Sequence, residues 1–237
     1  HLFCKNLNVD EHSYRIWKQY SHRLMLGAHH AAGGVHAATA QPQLAGRLMN
    51  PLLLAIDMPV SISWNLWVNA GIANGTRGVF KGLLLKSNAG DSGYVPISQV
   101  LGAYVQLEES YTGPSISSTI PRLICVPTKT ASYCVKAGAR QVKCLRRQLP
   151  LLPDVARTVH KSQGLTLSKA IVQVNTARSS HGLAFVALSR TRRLEDMHLQ
   201  KFDLSKYTEQ AAGLWPERLR SFLASLKESS TEFFGRE

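Results

Sequence analysis

The sequence predicts an α/β domain interrupted by a small all-β domain. Three observations predict it. Apolar residues recur at helical spacing near the start, through Tyr14, Trp17 and residues 20–24. A long middle stretch then breaks into short apolar runs separated by Gly, Pro and Ser. After Pro150 helix-like and strand-like segments alternate again, and residues 169–174 form the β-branched run that a buried parallel strand carries.

Taken in order, residues 2–4 read as a short buried strand. Asn8 or Asp10 can cap a helix over residues 9–23. Residues 27–50 are rich in Ala, Gly, His and Gln without a clear period, and read as a linker or mobile loop. From Leu52 the texture becomes β. Residues 58–63 alternate, and Asn74-Gly75 is a strong turn signal. Residues 79–85, 94–97, 103–107, 123–126 and 141–145 are further strand candidates, at a spacing that suggests a small barrel. Pro153 suits the first position of a helix running to Ser162. Residues 181–190 read as helix and 197–199 as a short strand. Two amphipathic helices, at 203–213 and 215–227, close the chain, with Trp215 as their anchor. No internal repeat is visible.

With 237 residues, 44% of them hydrophobic, the chain can form one or two domains with a sizeable core. Its net charge of +13 points to a polyanionic partner: nucleic acid first, an anionic membrane second. Residues 110–193 hold fourteen Lys or Arg and a single acid, Asp154, so the charge marks this stretch as the basic working region. Residues 194–237 hold eight acids against six Lys or Arg, which reads as a solvated tail. No 18-residue apolar run and no signal peptide is recognisable, so neither a membrane partner nor secretion is expected. The start at His1 rather than Met is expected of a fragment or a processed form. Cys4, Cys125, Cys134 and Cys144 fit no zinc or disulfide spacing and are expected to be reduced, in the cytoplasm, nucleus or an organelle. His29, His30 and His36 read as solvated loop rather than metal ligands, and no metal site is expected from this chain's residues.

Two segments carry chemistry. In residues 156–167, Thr158, His160, Lys161, Ser162 and Gln163 crowd together, and Gly164 allows a tight exit before the next strand. Hydroxyl, imidazole, ammonium and amide groups together suit phosphates and sugars. They suit a capped surface helix equally well. In residues 182–193 an apolar helix ends in Arg190, Arg192 and Arg193. The helix dipole alone favours such cations by ~0.3–1 kcal/mol. The sharper reading has a rigid helix delivering Arg190 to a phosphate, where a guanidinium stabilises a transferring phosphoryl group by ~10³–10⁵ in rate.

At this point a resemblance enters. Residues His160-Lys161-Ser162-Gln163-Gly164-Leu165-Thr166 resemble motif V of the Pif-type and RecD-like DNA helicases. Val186-Ala187-Leu188-Ser189-Arg190 resembles their motif VI, and Gln148-Leu149-Pro150-Leu151 the signature just before motif V. Asp57-Met58-Pro59-Val60 through Asn65, then Asn74-Gly75-Thr76-Arg77-Gly78, is similar to the family's entry into a small SH3-like insertion. Leu2-Phe3-Cys4-Lys5-Asn6 followed by Val9-Asp10-Glu11 is similar to motif IV. The matches run in family order from residue 2 to residue 203.

The resemblance implies an α/β, RecA-like domain of the P-loop-NTPase type, the second of a helicase, built from residues 1–78 and 141–203 with the linker at 27–50. It implies an inserted SH3-like β-barrel at 79–140; the terminal helices at 204–237, read from the residue pattern, follow. It implies the C-terminal portion of an ATP-dependent 5′-to-3′ DNA helicase, of the kind serving DNA repair and recombination, in the nucleus, mitochondrion or cytoplasm. Arg190 is then the arginine finger on the ATP γ-phosphate, with Gln163 and Gly164 at the nucleotide cleft. Thr158, His160, Lys161 and Ser162 are expected to touch the single-strand backbone or to couple it to ATP, with Asn6 and Asn65 as weaker candidates for the DNA face. ATP and Mg²⁺ are the implied cofactors. Single-stranded DNA, duplex junctions and a first RecA-like domain are the implied partners. Lys143, Arg146 and Arg147 read as a DNA-facing patch or a solvated rim. Trp64 and Trp67, flanking Asn65, could stack on bases, but packing at a domain junction is preferred.

One departure limits the reading. No G-x-x-x-x-G-K-[ST] motif occurs in the 237 residues; residues 75–81 have glycines and a lysine at the wrong spacing. Glu195-Asp196 follows motif VI and is not the acidic pair that holds Mg²⁺. The first RecA-like domain and the Mg²⁺ ligands are therefore expected elsewhere, and this chain alone is not expected to hydrolyse ATP. The alternative is a stand-alone nucleic-acid-binding fragment, derived from a helicase or mobile element, without ATPase activity. A third reading is a module acting through protein contacts alone.

Overall fold

The computed structural model describes residues 1–3, 6–86, 94–173 and 181–200. In chain order the elements begin with β1 (Leu2–Phe3), α1 (Asn6–Trp17), β2 (Arg23–Gly27), β3 (His29–Ala32), α2 (Gly34–Thr39), β4 (Leu52–Ala55) and β5 (Pro59–Ile62). Then come β6 (Arg77–Leu85), β7 (Tyr94–Pro96), β8 (Val100–Leu107), β9 (Leu123–Pro127), β10 (Lys129–Ala137) and β11 (Arg140–Gln148). The chain continues through β12 (Leu151–Pro153), β13 (Arg157–Thr158), β14 (Ala170–Gln173), α3 (His181–Leu188) and β15 (Met197–Leu199). They fall into two compact units, His1–Val9 with Arg157–Glu237, and Asp10–Ala156.

The first unit is built on a parallel sheet of order β13-β1-β14-β15. Parallel neighbours need a crossover, and α3 supplies the one between β14 and β15. Ala170 and Val172 alternate onto one face of β14 and bury with Leu2 and Val159. Leu183 and Ala187, one helical turn apart on α3, close the same cluster. The opposite side of α3 shows Phe185 to solvent. This is the α/β part the alternation of residues 169–199 predicts.

The second unit is β-rich. Its largest sheet runs β12-β5-β6-β8-β9, antiparallel throughout. A second, β10-β11-β3, is also antiparallel, and a third places β2 between β4 and β7. Val60, Ile62, Phe80, Val105, Val126 and Leu149 lie in its main core. Gly78, within the Asn74–Gly78 motif, has a structural reason to be glycine. A Cβ there would sit 2.5 Å from the Gln106 carbonyl oxygen, because β6 and β8 approach closely.

The strands expected at 58–63, 79–85, 94–97, 103–107, 123–126, 141–145 and 197–199 all form. Their sheets also recruit β3, β5 and β12, so the β-rich unit extends on both sides of residues 79–140.

Three expectations are corrected. The first helix ends at Trp17 rather than at residue 23, because Arg23–Gly27 is taken as a strand by Leu52–Ala55. Residues 27–50 are not a linker. They contain β3 and α2, and Ala37, Ala45 and Leu48 are fully buried, because their small or slim side chains pack against Tyr133 and Cys144. Pro153 does not open a helix. It sits in β12, opposite Val60 at the sheet edge, where its missing N–H is tolerated. Only a 3₁₀ turn, Val159–Ser162, follows. Strand β10 was not expected at all. The terminal helices at 203–213 and 215–227, Trp215 and Cys4 lie outside the described residues.

Candidate functional site

The site is assembled from the chain after β13 and the end of α3, both in the first unit. Thr158 ends β13, and Val159 plugs into the core with no exposed surface. The 3₁₀ turn then reverses the chain. The Ser162 hydroxyl donates to the Val159 carbonyl at 2.7 Å, the Gln163 N–H to His160 O at 3.3 Å and the Leu165 N–H to Ser162 O at 3.0 Å. Gly164, at φ +81°, takes the left-handed conformation this exit requires. The result is a tight loop that leaves His160, Lys161, Gln163 and Gly164 exposed.

Arg190 follows α3 directly. Its Nε donates to Val186 O at 2.7 Å, and Nη1 donates to Ser162 O at 3.3 Å and Leu165 O at 3.2 Å. Nη2 donates to the Ser189 hydroxyl at 2.7 Å. The backbone closes the same contact, with Leu167 N–H donating to Arg190 O at 2.7 Å. The guanidinium therefore bridges the two carbonyls on either side of Gln163-Gly164. A guanidinium has about five N–H donors, so these bonds leave one unengaged. Among the described residues no carboxylate pairs with Arg190. Its acceptors among the described residues are all neutral, and with exposed Lys161 in the same loop the site suits an anion. Arg193 meets Glu195 at the surface, a contact of little energetic weight.

The other expected site residues are placed as follows. Gln163, Gly164, His160 and Lys161 share the loop with Arg190's partners. Thr158 and Ser162, expected to touch the strand or to couple it to ATP, do not lie on the surface. Both are buried, and Ser162 spends its hydroxyl on Val159. They shape the loop rather than face outward. Asn6 opens α1, and its side chain lies outside the described residues. Asn65 is on the second unit, exposed, with Oδ1 accepting the Asn74 N–H at 2.9 Å.

Of the basic trio, Lys143 is exposed and Arg147 binds the Thr128 hydroxyl through Nε and Nη2. Arg146 is corrected: it is 0% exposed. It donates to Leu48 O at 2.9 Å and to the carbonyls of Ala37 and Ala40, and lies over the Tyr133 ring. One sequence signal for this exists. Arg146 shares the alternate face of β11 with buried Cys144 and Gln148. Among the described residues no group of three potential metal ligands is gathered, and no helix is long and apolar enough to cross a membrane.

Comparisons agree on one family. No protein-family model matches the chain. Human ATP-dependent DNA helicase PIF1 is 30% identical over 183 residues, 72% of this chain and 24% of that protein. The zebrafish (Danio rerio) protein of the same name is 29% identical over 187 residues, 78% of this chain and 25% of that protein. Helicase PIF5 of Trypanosoma brucei is 48% identical over 87 residues, 37% of this chain and 9% of that protein. The chain thus spans about a quarter, or less, of these relatives. Among solved structures, Pif1 helicase from Candida albicans superposes with a TM-score of 0.61 at 19% identity, over 95% of this chain and 49% of that one. Bacteroides Pif1 bound to ssDNA gives 0.61 at 21% identity, over 97% and 46%. The mixed α/β fold with parallel and antiparallel sheets is that of helicase domains. Within that class, the chain belongs to the Pif-type helicases.

Proposed function

We propose that this chain is the C-terminal portion of an ATP-dependent 5′-to-3′ DNA helicase, forming a second RecA-like domain into which residues 79–140 insert as an SH3-like barrel. The observation that carries the reading is Arg190, a guanidinium with no carboxylate partner among the described residues, seated on the carbonyls that flank Gln163-Gly164. ATP is the substrate. A first RecA-like domain outside these residues cradles its phosphates, and Arg190 reaches the γ-phosphate by exchanging neutral acceptors for phosphate oxygens. Charge then developing on the transferring phosphoryl group meets a fixed cation. Gln163 and Gly164 border the nucleotide. His160 and Lys161 touch the single-strand backbone, and buried Thr158 and Ser162 hold their loop in shape. Asn6 is a further candidate for the strand, and Asn65 a separate one on the second unit. The loop around Arg190 offers no carboxylate, so it does not fit Mg²⁺, whose ligands belong to the first domain. The relatives' names, the motif order and the net charge of +13 support this reading. A nuclear or mitochondrial location goes with it.

The test is Arg190→Ala in the full-length protein. Turnover should fall by about 10³-fold or more while ATP binding persists. Near-normal turnover refutes the assigned role. Lys161→Ala should weaken single-strand affinity and reduce its salt slope by about 1.

The alternative, a nucleic-acid-binding fragment without ATPase activity, draws on the missing phosphate-loop motif within these residues. Reading the coding sequence ahead of His1 decides between them. A phosphate loop and an acidic Mg²⁺ motif there select the motor.

A further inference from the structure

The segment joining β5 to β6 builds a braced turn around Trp67. The Leu66 and Trp67 N–H groups both donate to Ile72 O, at 3.1 and 2.9 Å, and the Ile72 N–H returns a bond to Trp67 O at 3.0 Å. The tip is a 3₁₀ turn, Val68–Ala70, closed by Ala70 N–H to Trp67 O and Gly71 N–H to Val68 O. Below it, the Thr76 hydroxyl accepts the Ala73 N–H and donates to Gly71 O, while Asn65 Oδ1 accepts the Asn74 N–H. Residues 46–47 are tied on from the side. Trp64 Nε1 donates to Gly46 O, and Arg47 Nη1 donates to Asn74 Oδ1 at 3.2 Å. Ile72 is buried and anchors the turn.

All this bonding holds in place a Trp that is 53% exposed. Trp17 and Trp64 each spend their indole N–H on a backbone carbonyl, Leu54 and Gly46 respectively. Among the described residues the Trp67 indole makes no such bond, and the side chain stays exposed, with exposed Val68 next to it. Around it the sequence supplies amides, Asn65, Asn69 and Asn74, and residues 58–76 contain no Asp or Glu. Two exposed apolar side chains ringed by amides fall far short of a protein-docking surface, which needs about 800 Å² per partner. They match one planar ring.

We propose that Trp67 is a stacking platform for an unpaired nucleobase of a single strand, with Arg47 placed to meet a neighbouring phosphate. The cross-bonded turn holds the Trp67 backbone and leaves only two side-chain torsions to be ordered on stacking, and every base offers a π-face, so the site is sequence-tolerant. The chain's charge of +13 and the absence of carboxylates in the turn admit the polyanion.

The test needs no ATP, so its outcome is independent of the motor reading and of Arg190. The 237-residue chain is titrated with an oligo-dT strand, following tryptophan emission and anisotropy of a labelled strand. Binding should quench the emission. Trp67→Leu, which keeps an apolar side chain and removes the ring face, should abolish most of the quench and raise Kd about 5- to 150-fold. Trp67→Phe should stay within about threefold of the parent, because a ring remains. Unchanged affinity in Trp67→Leu, or equal losses in both variants, overturns the proposal. So does a parent chain that leaves the strand unbound.

Discussion

The Nη1 nitrogen of Arg190 donates to the backbone carbonyl of Ser162 at 3.3 Å, across 28 positions of sequence. With the bond to Leu165 O it joins the end of α3 to the loop after β13. Within the first unit, the residue proposed to meet ATP and the loop proposed to meet DNA are thus hydrogen-bonded to each other. A phosphate drawing the guanidinium away must release those carbonyls.

That link has a structural consequence, separate from catalysis. Arg190→Ala removes the donors to Val186 O, Ser162 O and Leu165 O. At about 1 kcal/mol per net bond, amides in residues 162–167 should exchange roughly tenfold faster or more. Hydrogen-exchange mass spectrometry measures this. Unchanged protection of that loop means the guanidinium does not hold it.

Arg146 is a buried cation with no carboxylate beside it among the described residues. Arg146→Met keeps much of the volume but strands the Leu48 and Ala40 carbonyls; Ala37 O still has the Tyr133 hydroxyl at 3.1 Å. One buried and one partly buried acceptor left unpaired cost on the order of 1–4 kcal/mol. Urea denaturation should show a loss of that size, with the 34–48 segment loosening first under limited proteolysis. A change within about 0.5 kcal/mol shows that the guanidinium does not fasten it.

His30 gives the fold an acid sensitivity. Burial, then the Arg146 guanidinium, then His29 hold its pKa below the ordinary 6.5. The folded protein therefore binds this proton less readily than the unfolded chain. The stability His30 contributes is fully present above pH 6.5 and is lost as pH falls through that value toward the lowered folded pKa. Thermal melts of the parent should decline over that interval. Those of His30→Asn should decline less steeply, and identical slopes would count against the assignment.

Much of this architecture can be read directly from residue patterns. Alternation in residues 58–63 and the apolar run at 169–174 announce strands because burial on one face or both is a property of the pattern itself. Pro153 is ambiguous for a physical reason. Its fixed φ serves a helix start and a strand edge alike, and only the neighbouring β5 selects the edge. Residues 27–50 look featureless because Ala, Gly and His become core only when a partner surface closes over them. Cys144, Tyr133 and Arg146 provide that surface from nearly a hundred residues away.

The sequence by itself determined the order of motifs, the concentration of positive charge and the presence of Arg190 at a helix end, since spacing and side-chain type are local facts. Tertiary structure alone decided which polar groups face water. Ser162 and Arg146 have much the same composition around them as Lys161 and Lys143, yet the first pair is sealed inside and the second is exposed. Burial of a polar group depends on whether distant carbonyls come within hydrogen-bonding distance, and that is fixed by strand register and loop closure rather than by the residue's own identity.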